Sequence, residues 1–258
     1  MGTNNAIPIP PGGTGVRSAP VGAHGLCGVL YLVATPIGNM DDITLMAVKV
    51  LKEVDLVACE DTRVTANLLK HYQVKKPLVR YFEPAWQRSK YNKDRQGQAI
   101  IDKLASGRNI ALVSNAGTPL ISDPGYELVR QCLDNNIPVK VIPGASALVS
   151  ALALSGLPSD RFIFEGFLPR KPSKRRKRLQ EIASDPRTII IYESPYRILK
   201  TLSELKDILG NRGIALAREM TKFYEEVIRG NIDEVIKRIA GKKIRGEFTL
   251  VVQGRKPD

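Results

Sequence analysis

Val29-Leu30-Tyr31-Leu32-Val33-Ala34-Thr35-Pro36-Ile37-Gly38-Asn39 runs from six uncharged, mostly apolar residues straight into a turn built on Pro36 and Gly38. A short apolar run closed by a turn and followed by a helical pattern is the mark of a strand buried on both faces. The helix it predicts covers about 44–54, with Leu45, Val48 and Leu51 on one side.

The same alternation continues along the chain. Strands are predicted at 56–59, 78–81, 110–113 and 139–142, and helices at 64–72, 89–106, 126–133 and 145–155. Apolar strands of four to six residues separated by helices predict a parallel sheet covered on both sides. Gly156-Leu157-Pro158-Ser159-Asp160 then breaks the pattern, and the domain boundary is placed there. The second half predicts strands at 162–165, 188–192 and 214–217 with helices at 175–183 and 196–209. Strands at 224–229 and 247–252, read as neighbours around a helix at 232–239, make its sheet mixed and partly antiparallel. The expectation is an α/β protein of two α/β domains, 29–155 and 156–258, behind a disordered tail at 1–28.

That tail is rich in Gly and Pro, carries Arg17 as its one basic residue, and lacks the apolar centre of a secretory signal. Arg17 alone is thin support for a transit peptide. The chain has 258 residues, and none of its apolar runs approaches the ~18 residues of a membrane span. Cys27, Cys59 and Cys132 are widely spaced, and His24 and His71 complete no ligand set. No disulfide framework or metal site is expected, and the compartment is expected to be reducing and cytoplasmic.

A formal net charge of +13 attracts polyanions. Arg170, Lys171, Lys174, Arg175, Arg176, Lys177 and Arg178 fill seven of nine consecutive positions, about half of that surplus. Such a run is commonly a solvated face. Concentrated where a loop enters a helix, it suits phosphate contacts better. The neighbouring Phe162, Phe164 and Phe167 are assigned to the core.

Three small-residue turns follow strands of the first half: Thr35-Pro36-Ile37-Gly38-Asn39, Ser114-Asn115-Ala116-Gly117-Thr118-Pro119 and Pro143-Gly144-Ala145-Ser146-Ala147. Ligands of open α/β sheets bind beyond the strands' carboxyl ends, where small residues let backbone N–H groups approach. Gly-x-Gly-x-x-Gly and the Walker ending are both absent, which disfavours a nicotinamide or nucleoside triphosphate. Asp123-Pro124-Gly125 is read as the cap of the helix at 126. Three polar clusters also follow strands: Glu60-Asp61-Thr62-Arg63, Glu193-Ser194-Pro195-Tyr196-Arg197 and Arg218-Glu219-Met220-Thr221-Lys222. Acids beside an Arg either tune a proton acceptor or cap a helix and pair, and pairing is expected for at least one cluster.

With these motifs in view, the sequence resembles the tetrapyrrole methylase superfamily, and within it the branch that modifies ribosomal RNA. The resemblance covers roughly 30–254 and rests on 32–42, 60–63, 112–125, 143–147, 154–169, 192–194, 216–222 and 246–254, in that order. It implies S-adenosylmethionine folded into the cleft between two α/β domains. Ile37-Gly38-Asn39 takes the last three places of the superfamily's Gly-Pro-Gly-Asp turn. Ala116-Gly117-Thr118 stands for its Gly-Gly-Asp, with Ile121 three places on. Loss of that Asp fits the RNA branch. The resemblance places Ile37, Gly38, Ala116, Gly117, Thr118, Ile121, Ser146, Ala147, Glu193 and Met220 at the cofactor. It also implies 2′-O-methylation of a decoding-region cytidine in 16S rRNA or the small ribosomal subunit, by a homodimer.

A ribose hydroxyl needs help to lose its proton. The candidates are Glu60, Asp61, Glu219 and Lys222, with Arg63 and Arg218 orienting carboxylates or holding phosphate. A desolvated lysine is the base most easily tuned toward neutrality. The segment Tyr81-Phe82-Glu83-Pro84-Ala85-Trp86 departs from the family's polar stretch, and Trp86 is read either as stacking on a base or as packing. Many relatives continue past the position of Gly254 into a small helical extension, and RNA docking through one is not assumed.

Overall fold

A computed structural model describes residues 27–83 and 95–256. The tail at 1–26, Trp86 and the first turns of the helix expected at 89 lie outside the described residues.

The first sheet holds β1 (Leu30–Val33), β2 (Leu56–Cys59), β3 (Leu78–Arg80), β4 (Ile110–Val113) and β5 (Val139–Ile142) in the order β3-β2-β4-β1-β5. All pairings are parallel. Period-2 alternation sends Leu30, Leu32, Leu56, Ala58, Ile110 and Leu112 to one face, and Val33, Val57, Cys59, Ala111 and Val113 to the other. Helices α3 (Arg95–Ala105) and α4 (Tyr126–Asp134) cover the first face through Ile100, Leu104, Leu128 and Cys132. Helices α1 (Leu45–Glu53) and α2 (Thr62–His71) cover the second through Ala47, Val50, Leu51 and Leu69. Two apolar faces explain why these strands read as continuous apolar runs.

The second sheet is mixed. It holds β6 (Phe162–Phe167), β7 (Thr188–Glu193), β8 (Gly213–Arg218), β9 (Glu226–Asn231) and β10 (Phe248–Val252) in the order β6-β7-β10-β8-β9. Only β6–β7 is parallel. The expectation that the last two strands are neighbours is overturned, because β8 lies between them. One face is closed by α6 (Pro172–Ile182), α7 (Ile198–Leu209) and α8 (Ile232–Ile239). The α8 helix opens on a capping box of Asn231 and Glu234.

Helix α5 (Ala147–Ser155), counted with the first half in the sequence, packs on β10, β8 and β9 of the second sheet. Ala151 and Leu152 lie against Ala215, Ala217, Ile190 and Val251, and Ile37 and Met220 join the same cluster. Small residues on both helix and sheet permit this approach. The turn after β1 therefore touches the second sheet directly, and the functional cleft forms along that contact.

Candidate active site

Beyond the ends of β1, β4 and β5 lies a cavity of about 320 Å³, bounded on its other side by the second sheet. The first lobe supplies Ile37, Ala116, Gly117, Thr118, Ile121, Ser146 and Ala147; the second supplies Tyr192, Glu193, Ser194, Pro195 and Met220. Nine of the ten residues expected at a cofactor line it. Gly38 does not. Its role is contact between the lobes: a Cβ there would stand 2.5 Å from Lys222 Cγ and 2.7 Å from the Met220 carbonyl oxygen. The neighbouring Asn39 N–H donates to Thr221 Oγ1 at 3.0 Å, tying the first turn to the loop after β8.

The expected free amides are partly spent. Gly117 exchanges both backbone hydrogen bonds with Thr35, so its N–H is not open to a ligand, and its φ of +83° is the reason for glycine. Ser146 is the N-cap of α5, but its hydroxyl makes no capping bond. The Leu148 N–H donates to the Tyr192 hydroxyl oxygen at 3.1 Å.

A smaller cavity of about 220 Å³ adjoins the first and shares Ile37, Asn115, Ala116 and Glu247 with it. Gly38, Met40, Val64 and Lys222 also line it. Glu60 accepts from Asn115 Nδ2 at 3.1 Å and so stands behind the shared wall. Lys222 Nζ donates to Glu219 and Glu247, both at 3.0 Å. Burial alone would lower the Lys222 ammonium, but the bonds to Glu247 and Glu219 outweigh it and hold it above its usual range. The expectation of a lysine tuned toward neutrality is overturned. For Glu219 burial works upward, and the Glu247 N–H and Lys222 bring it below its ordinary value.

In two of the three polar clusters an acid and an arginine form a structural pair. Asp61 caps α2 and pairs with Arg63 at 2.8 Å, and the Arg63 side chain is 89% exposed. That bonding, from Arg63's side chain first, holds the Asp61 carboxyl well below the usual range, which makes it a poor base. The Glu193 side chain is fully buried and accepts from Arg197, Thr201 and the Ser194 N–H. Its carboxylate is committed to shaping the loop that follows β7.

Asp123 is not the helix cap that the sequence predicts. Gly125 is the N-cap of α4, and the Glu83 carboxylate accepts from the N–H groups of Gly125 and Glu127 instead. Asp123 lines the larger cavity, and its carboxyl is pushed up to about 7 by burial, with the Glu60 charge adding to it. Tyr192, Ser122 and Phe167 also line the cavity unforeseen. Only Asp123 carried a usable signal, as an acid in a turn following a strand.

The basic run divides. Arg175 is not available to phosphate: its side chain is 3% exposed, bonded to Glu204 and to the carbonyls of Pro169 and Arg170. Arg178 is held by Glu165 and Glu181. Arg170, Lys171, Lys174, Arg176 and Lys177 remain exposed. Phe162 and Phe167 are exposed as well, not core residues as expected, while Phe164 packs inward. Among the described residues no helix is long and apolar enough to cross a membrane, and no metal-binding group of His, Cys, Asp and Glu occurs.

Two α/β lobes closing a ligand-sized cavity at their strand ends define a class of protein. The chain belongs to the tetrapyrrole (corrin/porphyrin) methylase family, whose model matches residues 29–236. Within it, the chain falls in the group of ribosomal RNA small subunit methyltransferase I. The protein of that name from Halalkalibacterium halodurans is 49% identical over 88% of this chain and 76% of its own length. That from Thermotoga maritima is 46% identical over 88% of this chain and 99% of its own. The uroporphyrin-III C-methyltransferase of Thermus thermophilus, solved with S-adenosylhomocysteine, shares the fold: 20% identity, 87% of this chain and 97% of that one, TM-score 0.59.

Proposed function

We propose that this chain transfers the methyl group of S-adenosylmethionine to the 2′-hydroxyl of a cytidine ribose in the decoding region of 16S rRNA, acting as a homodimer. The observation that carries the reading is the cavity between the lobes. In a chain of net charge +13, its charged lining residues are Asp123, Glu193 and Glu247, all acidic. An acid-lined cavity of about 320 Å³ fits a small cationic cofactor better than a phosphorylated one. The relatives' names and the exposed basic surface supply the RNA.

Bound there, the sulfonium supplies an already activated methyl group. The chain's task is to align a ribose oxygen with it and take up a proton. Ile37, Asn115 and Ala116 form the wall shared by the two cavities, so the smaller one is where a nucleotide meets the donor. Lys222, kept as an ammonium, fixes Glu247 at that wall. Proton acceptance falls to Glu247, the carboxylate at that wall, while Glu60, bonded to Asn115, holds the Asn115 side chain in place. Arg170, Lys171, Lys174, Arg176 and Lys177 hold RNA phosphates.

The test is transfer of labelled methyl from S-adenosylmethionine to purified small ribosomal subunits, free rRNA and a tetrapyrrole precursor in parallel. Label in alkali-resistant RNA is expected. Label in the tetrapyrrole alone would overturn the RNA reading.

A further inference from the structure

We propose that Asp123 is the anchor for the α-ammonium group of the methyl donor. The inference rests on the cavity being the donor site, as argued above, and names which side chain receives the donor's cationic end.

The three acids lining the cavity are not equivalent. Glu193 is saturated by Arg197, Thr201 and Ser194, and Glu247 is bonded to Lys222. Among the described residues no hydrogen bond or ion pair reaches the Asp123 carboxyl, although the residue is half-buried. A desolvated carboxyl left without a partner costs stability, and such groups concentrate where a ligand completes them. Among the described residues no Lys or Arg lines the cavity. The charged or titratable groups that act on Asp123 are Glu60, whose charge raises it, and Tyr192, itself raised first by burial and then by Asp123. Glu83, which reaches the Asp123 loop from the segment after β3, is occupied in capping α4. Among the described residues no cation pairs with Asp123, which leaves the carboxylate open to a cation from outside.

Of the donor's two positive centres, only the ammonium carries N–H groups for a carboxylate to accept. Ile121 and Ser122, beside Asp123, are exposed, which places this carboxyl at the cavity's open edge. The polar amino-acid end of the donor belongs at such an edge, with the apolar lining by Ile37 and Met220 left for the rest.

Binding must then couple to protons. Asp123 titrates near 7 when the cavity is empty and must be ionised to hold an ammonium. Donor affinity should fall as pH drops below about 7, by up to about tenfold per unit. It should fall again above about 8, where an α-amino group loses its proton.

The experiment is isothermal titration of the whole protein with S-adenosylmethionine, S-adenosylhomocysteine and 5′-methylthioadenosine between pH 6 and 9. Both ligands bearing the ammonium should bind best between about 7 and 8, while methylthioadenosine, which lacks it, should bind independently of pH. Asp123→Asn should weaken the first two at least tenfold at pH 7.5 and leave methylthioadenosine unchanged. A pH-independent S-adenosylhomocysteine affinity in the wild type would overturn the proposal without any variant, as would an Asp123→Asn protein that binds normally. If none of the three ligands binds the wild type, the donor site itself is wrong, and the proposal falls with it.

Discussion

Replacing Gly38 with Ala should unseat the two lobes from one another. Gly38 does not adopt a left-handed conformation, so the added methyl meets a steric penalty and nothing else. That penalty is severe because one of its neighbours is backbone: the Met220 carbonyl oxygen at 2.7 Å, besides Lys222 Cγ at 2.5 Å and Thr221 Oγ1 at 2.8 Å. Lys222 can swing aside. The carbonyl cannot move without the loop after β8, where Glu219 and Thr221 already hold positive φ values. Overpacking of this kind costs about 1–3 kcal/mol, and displacing the loop adds about 0.5–1.5 kcal/mol for the Asn39–Thr221 hydrogen bond. A total of about 2–4 kcal/mol is a large share of the ~5–15 kcal/mol of a typical domain. In urea, with a slope near 3 kcal/mol per molar, the midpoint of unfolding followed by circular dichroism should drop by roughly 1 M. Because Met220 lines the cavity proposed for the donor, donor affinity should fall with it. A Gly38→Ala protein within about 0.5 kcal/mol of wild type and binding the donor normally would refute the reasoning.

Arg175→Met should destabilise by about 3–5 kcal/mol by stranding Glu204, and Arg175→Met with Glu204→Leu should recover much of the loss; chemical denaturation checks both. Exchanging Lys174, Arg176 and Lys177 for Glu together should weaken RNA binding and flatten its salt dependence by about 0.7 in log–log slope per lost phosphate contact, with donor affinity unchanged, as filter binding across salt concentrations would show. Asp123→Asn should stabilise the ligand-free protein at pH 8. The folded carboxyl titrates near 7, above its ordinary 3.8, so the wild type binds more protons folded than unfolded between these values. It therefore loses stability as pH rises from about 4 through 7, and melting curves at pH 4.5 and 8 should show the variant's advantage only at the higher pH.

Much of this was legible in the sequence because burial on two faces leaves an unmistakable apolar signature. The strands at 56–59, 110–113 and 139–142 match the structure residue for residue. Strand order in the second lobe was not legible: nothing local in 224–229 or 247–252 says that β8 inserts between them. The small helix α5 could not be assigned to a sheet either, because Ala and Leu suit any close packing partner. At the site, the family resemblance picked out nine residues that line one cavity but could not tell a glycine that opens space from Gly38, whose space is filled by the opposite lobe. Charge runs mislead in the same way. Arg175 looks like its neighbours in the sequence, and only helical phase turns it inward onto Glu204.

The most direct test of the account is a crystal structure with S-adenosylhomocysteine. The account predicts the ligand between Ala116, Gly117 and Thr118 on one lobe and Ser194 and Pro195 on the other, with its amino group at Asp123. Ligand in the neighbouring cavity beside Met40 and Lys222, or a larger cavity still empty at saturating ligand, would contradict it.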